Sequence, residues 1–387
     1  MGWRSFATAL MFALGFALEA AAAQSPAVFD CRDDDGRCPE LKIAGDPPFE
    51  LPGFGLSPFR GYADPSLRRD PRTGVLWLSY SWVSLFASPT LIPGKPALDV
   101  GVSIHLARSD DGGRSFRHVT NIWESATETY KGASGYSGNE VSTISPTPSG
   151  WAALELRYFN PRGNGNDFRP DSLHFELAEG ADPGKLAMAQ ASMLGGSLTG
   201  SFWRPFANLS EIAKVGLACP VWTEPSLFSD NGVLYLLVQC KTPSNPARGF
   251  LGVFVREPDG WHWAGCLTSS SDAAALGGNE LTQAELTRGR DGSLLLVVTP
   301  NIVKGREEHH LGCAVLTVAS LDPPRLKQGA DTLLDLRARI VSSDSAQNGP
   351  GACSYDPGSS TGLLIVRRVF SPIRGVIFSI HASGLHP

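Results

Sequence analysis

An internal repeat constrains this chain more than any other feature. Five segments align on a turn glycine followed by an apolar strand. ADPSLRRDPRTGVLWLSYSW from Ala63 and TEPSLFSDNGVLYLLVQC from Thr223 share an acid, Pro, Ser, Leu, a turn ending in Gly, and then Val, Leu, an aromatic and Leu. NEVSTISPTPSGWAALELRYF from Asn139 keeps the acid, the Ser and the Gly. TQAELTRGRDGSLLLVVTP from Thr282 and ACSYDPGSSTGLLIVRRVF from Ala352 keep the turn and the strand behind it. The anchors are Gly74, Gly150, Gly232, Gly292 and Gly362, at intervals of 76, 82, 60 and 70 residues. Each interval holds a four-stranded unit: after the repeated hairpin, VGVSIHLARS and RHVTNIW follow in the first unit, GFLGVFVRE and GWHWAGCL in the third.

Such a pattern predicts an all-β β-propeller of five blades, with six as the alternative, because radial repetition leaves only short, protected edges. The 42 Gly and 29 Pro suit many tight turns. With 25 residues after Gly362, the last unit lacks a fourth strand, and PELKIAG, residues 39–45, is the expected completion that closes the ring. Residues 24–387 then form one domain with an insertion at about 197–222, where Ser210 is expected to cap a short helix.

Arg4, the 13-residue apolar run Phe6–Leu18 and Ala21–Ala23 read as a signal peptide over residues 1–23, so the mature protein is expected in a periplasm or outside the cell. The run is too short to span a bilayer core of about 30 Å. A net charge of −5 argues against nucleic acid and anionic membrane as partners. Seven cysteines in an exported chain point to disulfides rather than metal. Cys31 and Cys38 bracket a polar loop, Cys219 and Cys240 flank one hairpin, and the odd count leaves a free thiol. Asp33, Asp34 and Asp35 lack calcium-loop spacing and read as a solvated turn.

SDDGGRSF, Ser109–Phe116, fits the Asp-box (BNR) pattern S-x-D-x-G-x-[ST]-[FW] and falls between the third and fourth strands of unit one. On this motif, and on DGSLLLVV from Asp291, the chain resembles the sialidase-like propellers. The motif itself is a folding device: Ser109 and Asp111 bond backbone, Gly113 permits positive φ, and Phe116 fills the core. The resemblance implies that the first strand of each blade lines a central funnel. The repeat puts Asp64, Glu140 and Glu224 at one equivalent position there, with Glu280 or Glu285 near it in unit four. This placement is similar to that of five-bladed arabinanase-like glycosidases, and the similarity implies Asp64 as general base, Glu140 as pKa tuner and Glu224 as general acid. Paired carboxyl groups suit a glycosidase, which protonates a leaving oxygen with one and activates water or attacks with the other.

A sialidase would add three arginines and a tyrosine nucleophile. Arg60, Arg157, Arg204 and Arg367 are the arginines near strand ends, and Tyr355 starts the last unit. The expected substrate-binding set is Arg60, Tyr62, Tyr136, Asn139, Arg157, Trp222, Glu285 and Tyr355; Trp82 and Trp203 are further aromatics near these loops. EEHH, Glu307–His310, is expected to be a loop without metal, and no metal or cofactor is expected. The function expected is an exported, monomeric glycoside hydrolase acting on a carbohydrate in the funnel. The alternative is a non-catalytic propeller that binds glycan or protein.

Overall fold

The computed structural model describes residues 26–387 except 32–35, 49, 52–54, 88–97, 164–168, 196–207, 215–218, 243–248, 306, 330–333, 342–349 and 372–374. The expected signal peptide, Asp33–Asp35, Trp203 and Arg204 lie outside the described residues. No helix among the described residues is long and apolar enough to cross a membrane.

The chain is all-β, and its repeat corresponds to five consecutive groups of antiparallel strands. Their first strands are Phe59–Arg69, Ala133–Thr147, Val221–Asp230, Glu280–Arg288 and Gly351–Ser354. Each pairs with the strand that follows its turn glycine, and all five of those glycines take positive φ. These first strands touch in a circuit: the first meets the second, then third, fourth, fifth and back to the first. Apolar residues fill every junction of the circuit. Trp77, Ile104, Ile144 and Trp151 pack groups one and two; Leu154, Phe175, Trp222 and Phe254 pack two and three; Leu237, Val253, Leu286 and Leu316 pack three and four. Val297, Val315, Tyr355 and Ile365 pack four and five, and Leu78, Tyr80, Leu364 and Ile380 pack five and one. The sheets therefore bury both faces, which is why their strands read as nearly continuous apolar runs.

Two N-terminal segments are stitched into distant groups. Ala27–Asp30 runs parallel to Leu336–Val341 as an outer strand of group four. Pro39–Leu41 lies against Gly375–Ala382 through Leu41 N–H to Ile380 O at 2.8 Å and Ala382 N–H to Pro39 O at 3.0 Å. Ile43–Ala44 then pairs parallel with Phe116–Arg117 of group one. Groups five and one join directly, since Gly375–Ala382 also pairs parallel with Phe59–Gly61. Gly61, at φ 118°, is required at this seam because a Cβ there would stand 1.9 Å from the Phe378 carbonyl oxygen.

Three disulfides form, Cys31–Cys38, Cys219–Cys240 and Cys313–Cys353, the last tying group four to the first strand of group five. Cys266 is a free, exposed thiol. In the Ser109–Phe116 turn, Gly113 N–H donates to Ser109 Oγ at 2.8 Å, Ser115 N–H donates to Asp111 Oδ1 at 3.0 Å, and Phe116 is buried. Two expectations are corrected. The short helix Leu209–Ala213 is capped by Asn208, whose side chain accepts from Ser210 and Glu211 N–H, while Ser210 Oγ accepts from the Trp222 indole. EEHH is a strand, Glu307–His310, paired with Asn301–Lys304.

Candidate active site

Every first strand carries one register shift, at Ala63/Ser66, Glu140/Thr143, Thr223/Ser226, Thr282/Glu285 and Gly351/Ser354. At each bulge one residue is forced to positive φ: Asp64 at 47°, Val141 at 50°, Glu224 at 50°, Gln283 at 48° and Ala352 at 47°. A bulge re-aims the side chain it carries, and these five converge on one cavity of about 590 Å³. The bulges thus define the true equivalence. Glu140 stands one residue before Val141 rather than in the row of Asp64 and Glu224, and in group four the position belongs to Gln283 rather than to Glu280 or Glu285.

All three candidate catalytic acids nevertheless line the cavity, together with Ser81, Gln283, Glu308, His310 and Arg368. Phe59, Val83, Val102, Val366, Val376 and Phe378 make an apolar wall on the side of groups five and one. Ser81 Oγ–H donates to Asp64 Oδ2 at 2.9 Å and Gln283 Nε2–H to Oδ1 at 3.4 Å. The Tyr158 hydroxyl donates to Glu140 Oε1 at 2.5 Å. Lys241 Nζ bridges to Glu308 Oε1 at 2.6 Å beside Glu224.

Electrostatics separates these groups. Burial, reinforced by the Asp64 and Glu140 charges, pushes Glu224 well above the carboxylate range against the pull of Lys241. Burial also raises Asp64, opposed by hydrogen bonds from Ser81 and the Val141 N–H. Glu140 is pushed up to about 7 by burial; Tyr158 opposes this and the Asp64 charge adds to it. Burial would raise Glu308, but the Lys241 ammonium outweighs it and leaves the carboxyl low. Burial and the Arg368 charge lower His310 to about 4, so its imidazole is neutral at pH 7.

This arrangement sets a pH dependence of stability. The folded Glu140 holds its proton up to about 7, whereas the unfolded one releases it near 4.5. Between those values the folded state binds more protons, so stability falls as pH rises. Glu140→Gln is expected to remove that part of the slope in urea midpoints measured from pH 4.5 to 7.5. Tyr158→Phe deletes the hydrogen bond that favours ionised Glu140, and is expected to move the upper edge of the same window above pH 7.

The structure separates the expected substrate-binding residues from the cavity. Trp222 is fully buried among Phe250, Phe254 and Trp263. Tyr62 packs edge-on to Tyr80 and donates to the Asp46 carbonyl. Tyr136 is buried under Arg162, and Asn139 donates to Val102 O at 3.1 Å. Arg157 bridges to Glu128 at 2.9 Å and Glu176 at 3.5 Å, and Arg60 donates to Ser57 O. Tyr355 is fully buried in the junction of groups four and five. Glu285 lies below the cavity, bridged to Arg68 at 2.7 Å. Sequence reading missed Gln283, Glu308, His310 and Arg368. Alternation along Glu307–His310 carries the signal for the pair Glu308 and His310, and Arg368 is the neighbour of the candidate Arg367.

No protein-family model and no curated protein matches the sequence. Several solved structures are similar to the chain. A family 117 glycoside hydrolase of the marine bacterium Zobellia galactanivorans aligns at a TM-score of 0.46 and 13% identity, over 89% of this chain and 88% of that one. An endo-arabinase from Bacteroides thetaiotaomicron aligns at 0.44 and 13%, over 83% and 93%. An α-L-arabinofuranosidase from Lactobacillus brevis aligns at 0.46 and 13%, over 82% and 89%.

Proposed function

We propose that the chain is an exported glycoside hydrolase with the architecture of a five-bladed propeller, acting on a glycan in the 590 Å³ cavity. The observation that carries this reading is the convergence of Asp64, Glu140 and Glu224, from three successive first strands, on one cavity with their proton affinities raised. Three acids packed together repel one another, and a fold keeps such an arrangement where the protons are used. Glu224, whose hold on its proton is strengthened by burial and by the Asp64 and Glu140 charges, gives that proton to the leaving oxygen. Asp64, raised by burial although Ser81 and the Val141 N–H favour its ionised form, activates water or attacks the anomeric carbon once ionised. Glu140 raises Glu224 through its charge and is itself raised by that of Asp64.

The five contacting first strands and the Pro39–Leu41 segment beside Gly375–Ala382 support the propeller and its closure. The three disulfides support export. An arabinanase-like arrangement is favoured over a sialidase, because Arg368 alone among the described arginines lines the cavity, where a sialidase needs three. The test is hydrolysis of a panel of aryl glycosides, including an arabinoside and a sialoside, by the mature protein beside an Asp64→Asn, Glu224→Gln double variant. Turnover of one substrate that the variant loses supports the reading and names the sugar. Folded protein that binds oligosaccharide but turns over none of the panel replaces it with a binding propeller.

A further inference from the structure

We propose a zinc site at Asp46, His105 and His118, away from the candidate active site, that pins the N-terminal segment to the first group of strands. One donor atom of each residue lies within 4.8 Å of the other two. Asp46 and His105 are buried and His118 is half-buried. The chain brings them together by topology: Asp46 follows the Ile43–Ala44 strand, His105 sits on Leu98–Ser109 and His118 on Phe116–Trp123.

Hydrogen bonding fixes which ring nitrogens face a metal. Asn121 Nδ2 donates to Glu124 Oε1 at 2.8 Å, so its Oδ1 is the atom turned to His118 Nε2, 2.9 Å away. An amide oxygen only accepts; His118 therefore carries its proton on Nε2 and presents a lone pair at Nδ1. Asp46 Oδ2 accepts from the Tyr80 hydroxyl at 2.6 Å and lies 2.9 Å from His105 Nδ1. A carboxylate likewise only accepts, so in the metal-free chain a proton lies between His105 Nδ1 and Asp46 Oδ2, and zinc would take its place with that nitrogen and the carboxylate as ligands. Trp82 stacks on the His105 ring at 5.0 Å between centroids and 12° between planes, and the two imidazoles are 5.2 Å apart. Two imidazoles, one of them with its second nitrogen engaged by the Asn121 amide oxygen, and one carboxylate are the ligand chemistry of a borderline divalent ion such as zinc. Zinc–ligand bonds of about 2.0–2.2 Å put donors roughly 3.5 Å apart, so the three side chains need to close in by only about 1 Å.

The segment from Pro39 to Asp46 passes from the last group of strands to the first. A metal here therefore fastens that seam, and its binding free energy adds to folding. The test is zinc uptake by the full chain after chelation and dialysis, read by elemental analysis and by thermal unfolding with and without added zinc. The expected result is one zinc per chain and a Tm rise of roughly 3–6 °C at zinc a hundredfold above Kd. His118→Ala should abolish both while leaving the Tm in chelator near that of the parent. Asn121→Ala, which keeps all three ligands, should weaken zinc by about 10–100-fold. Glu257, Asp259 and His262 form the other close group of metal-capable side chains among the described residues, and His262→Ala should change nothing. Failure of the parent to take up zinc, uptake that survives His118→Ala, or uptake lost in His262→Ala overturns the proposal.

Discussion

Glu224→Gln is expected to lower kcat/KM on a glycoside with a poor leaving group by about 10²–10⁴, the range that general acid catalysis contributes, while the fold survives. The size follows from the position. Glu224 is held at φ 50° on a bulge, faces the cavity, and holds its proton more tightly because burial, Asp64 and Glu140 all disfavour its charge. Glutamine preserves the shape but has no acidic proton to give. A leaving group that departs as a stable anion needs no such proton, so the deficit should shrink on a dinitrophenyl glycoside. Asp64→Asn, which removes the proposed base, should be equally poor on both substrates. That contrast assigns the two roles separately; equal losses on both substrates for Glu224→Gln would remove it from the acid role. Stability should move the other way. Each variant removes a carboxyl whose ionisation burial penalises in the folded state only, so the urea midpoints at pH 7.5 are expected to match or exceed the parent's.

The repeat was legible because it serves folding. Gly74, Gly150, Gly232, Gly292 and Gly362 mark turns that need positive φ, and the strands behind them are apolar because both sheet faces are buried. The bulge was not legible. Asp64, Val141, Glu224, Gln283 and Ala352 share its conformation and no chemistry, so sheet register and not side-chain preference imposes it. Aligning acid with acid put Glu140 in that row, one residue early. Val141 shows the cost of the imposed register, since a β-branched residue at φ 50° is strained, and such strain gathers at functional sites. The same limit explains Arg367. In a run such as LLIVRRVF both sheet faces are apolar, hydropathy does not fix the parity, and the cavity receives Arg368. Trp222 sits two residues before Glu224 in sequence, yet it packs between groups two and three, because a large apolar ring gains more from that core than from the cavity rim.

Glu285→Ala is expected to cost about 3–5 kcal/mol of stability, the penalty for leaving a buried partner charge uncompensated. Beneath the cavity the first strands are latched to one another by the residues two beyond four of the five bulge residues, Ser66, Thr143, Glu285 and Ser354. Ser66 Oγ accepts from Ile144 N–H at 3.4 Å, Thr143 Oγ1 from Leu227 N–H at 3.0 Å, and Ser354 Oγ from Leu67 N–H at 2.8 Å. Glu285 holds the same row in group four and accepts from Tyr355 N–H at 3.3 Å and Ser66 Oγ–H at 3.0 Å. Being longer and charged, it also meets Arg68 at 2.7 Å, and that guanidinium donates to the carbonyls of Leu67, Leu227 and Leu286. One ion pair thus ties strands from groups one, three and four, with both partners under 10% exposed. Glu285→Gln keeps one acceptor oxygen, enough for the Ser66 hydroxyl or the Tyr355 N–H but not both, and should cost less than Glu285→Ala. Arg68→Met with Glu285→Leu removes both charges together and should recover most of the loss. Urea denaturation with an unchanged m-value would measure all three; a Glu285→Ala loss below about 0.5 kcal/mol would make the pair irrelevant to how the first strands are held. Because Glu285 faces Arg68 and not the cavity, Glu285→Gln should also leave KM unchanged, which separates a latch from the substrate-binding role its place in the repeat suggests.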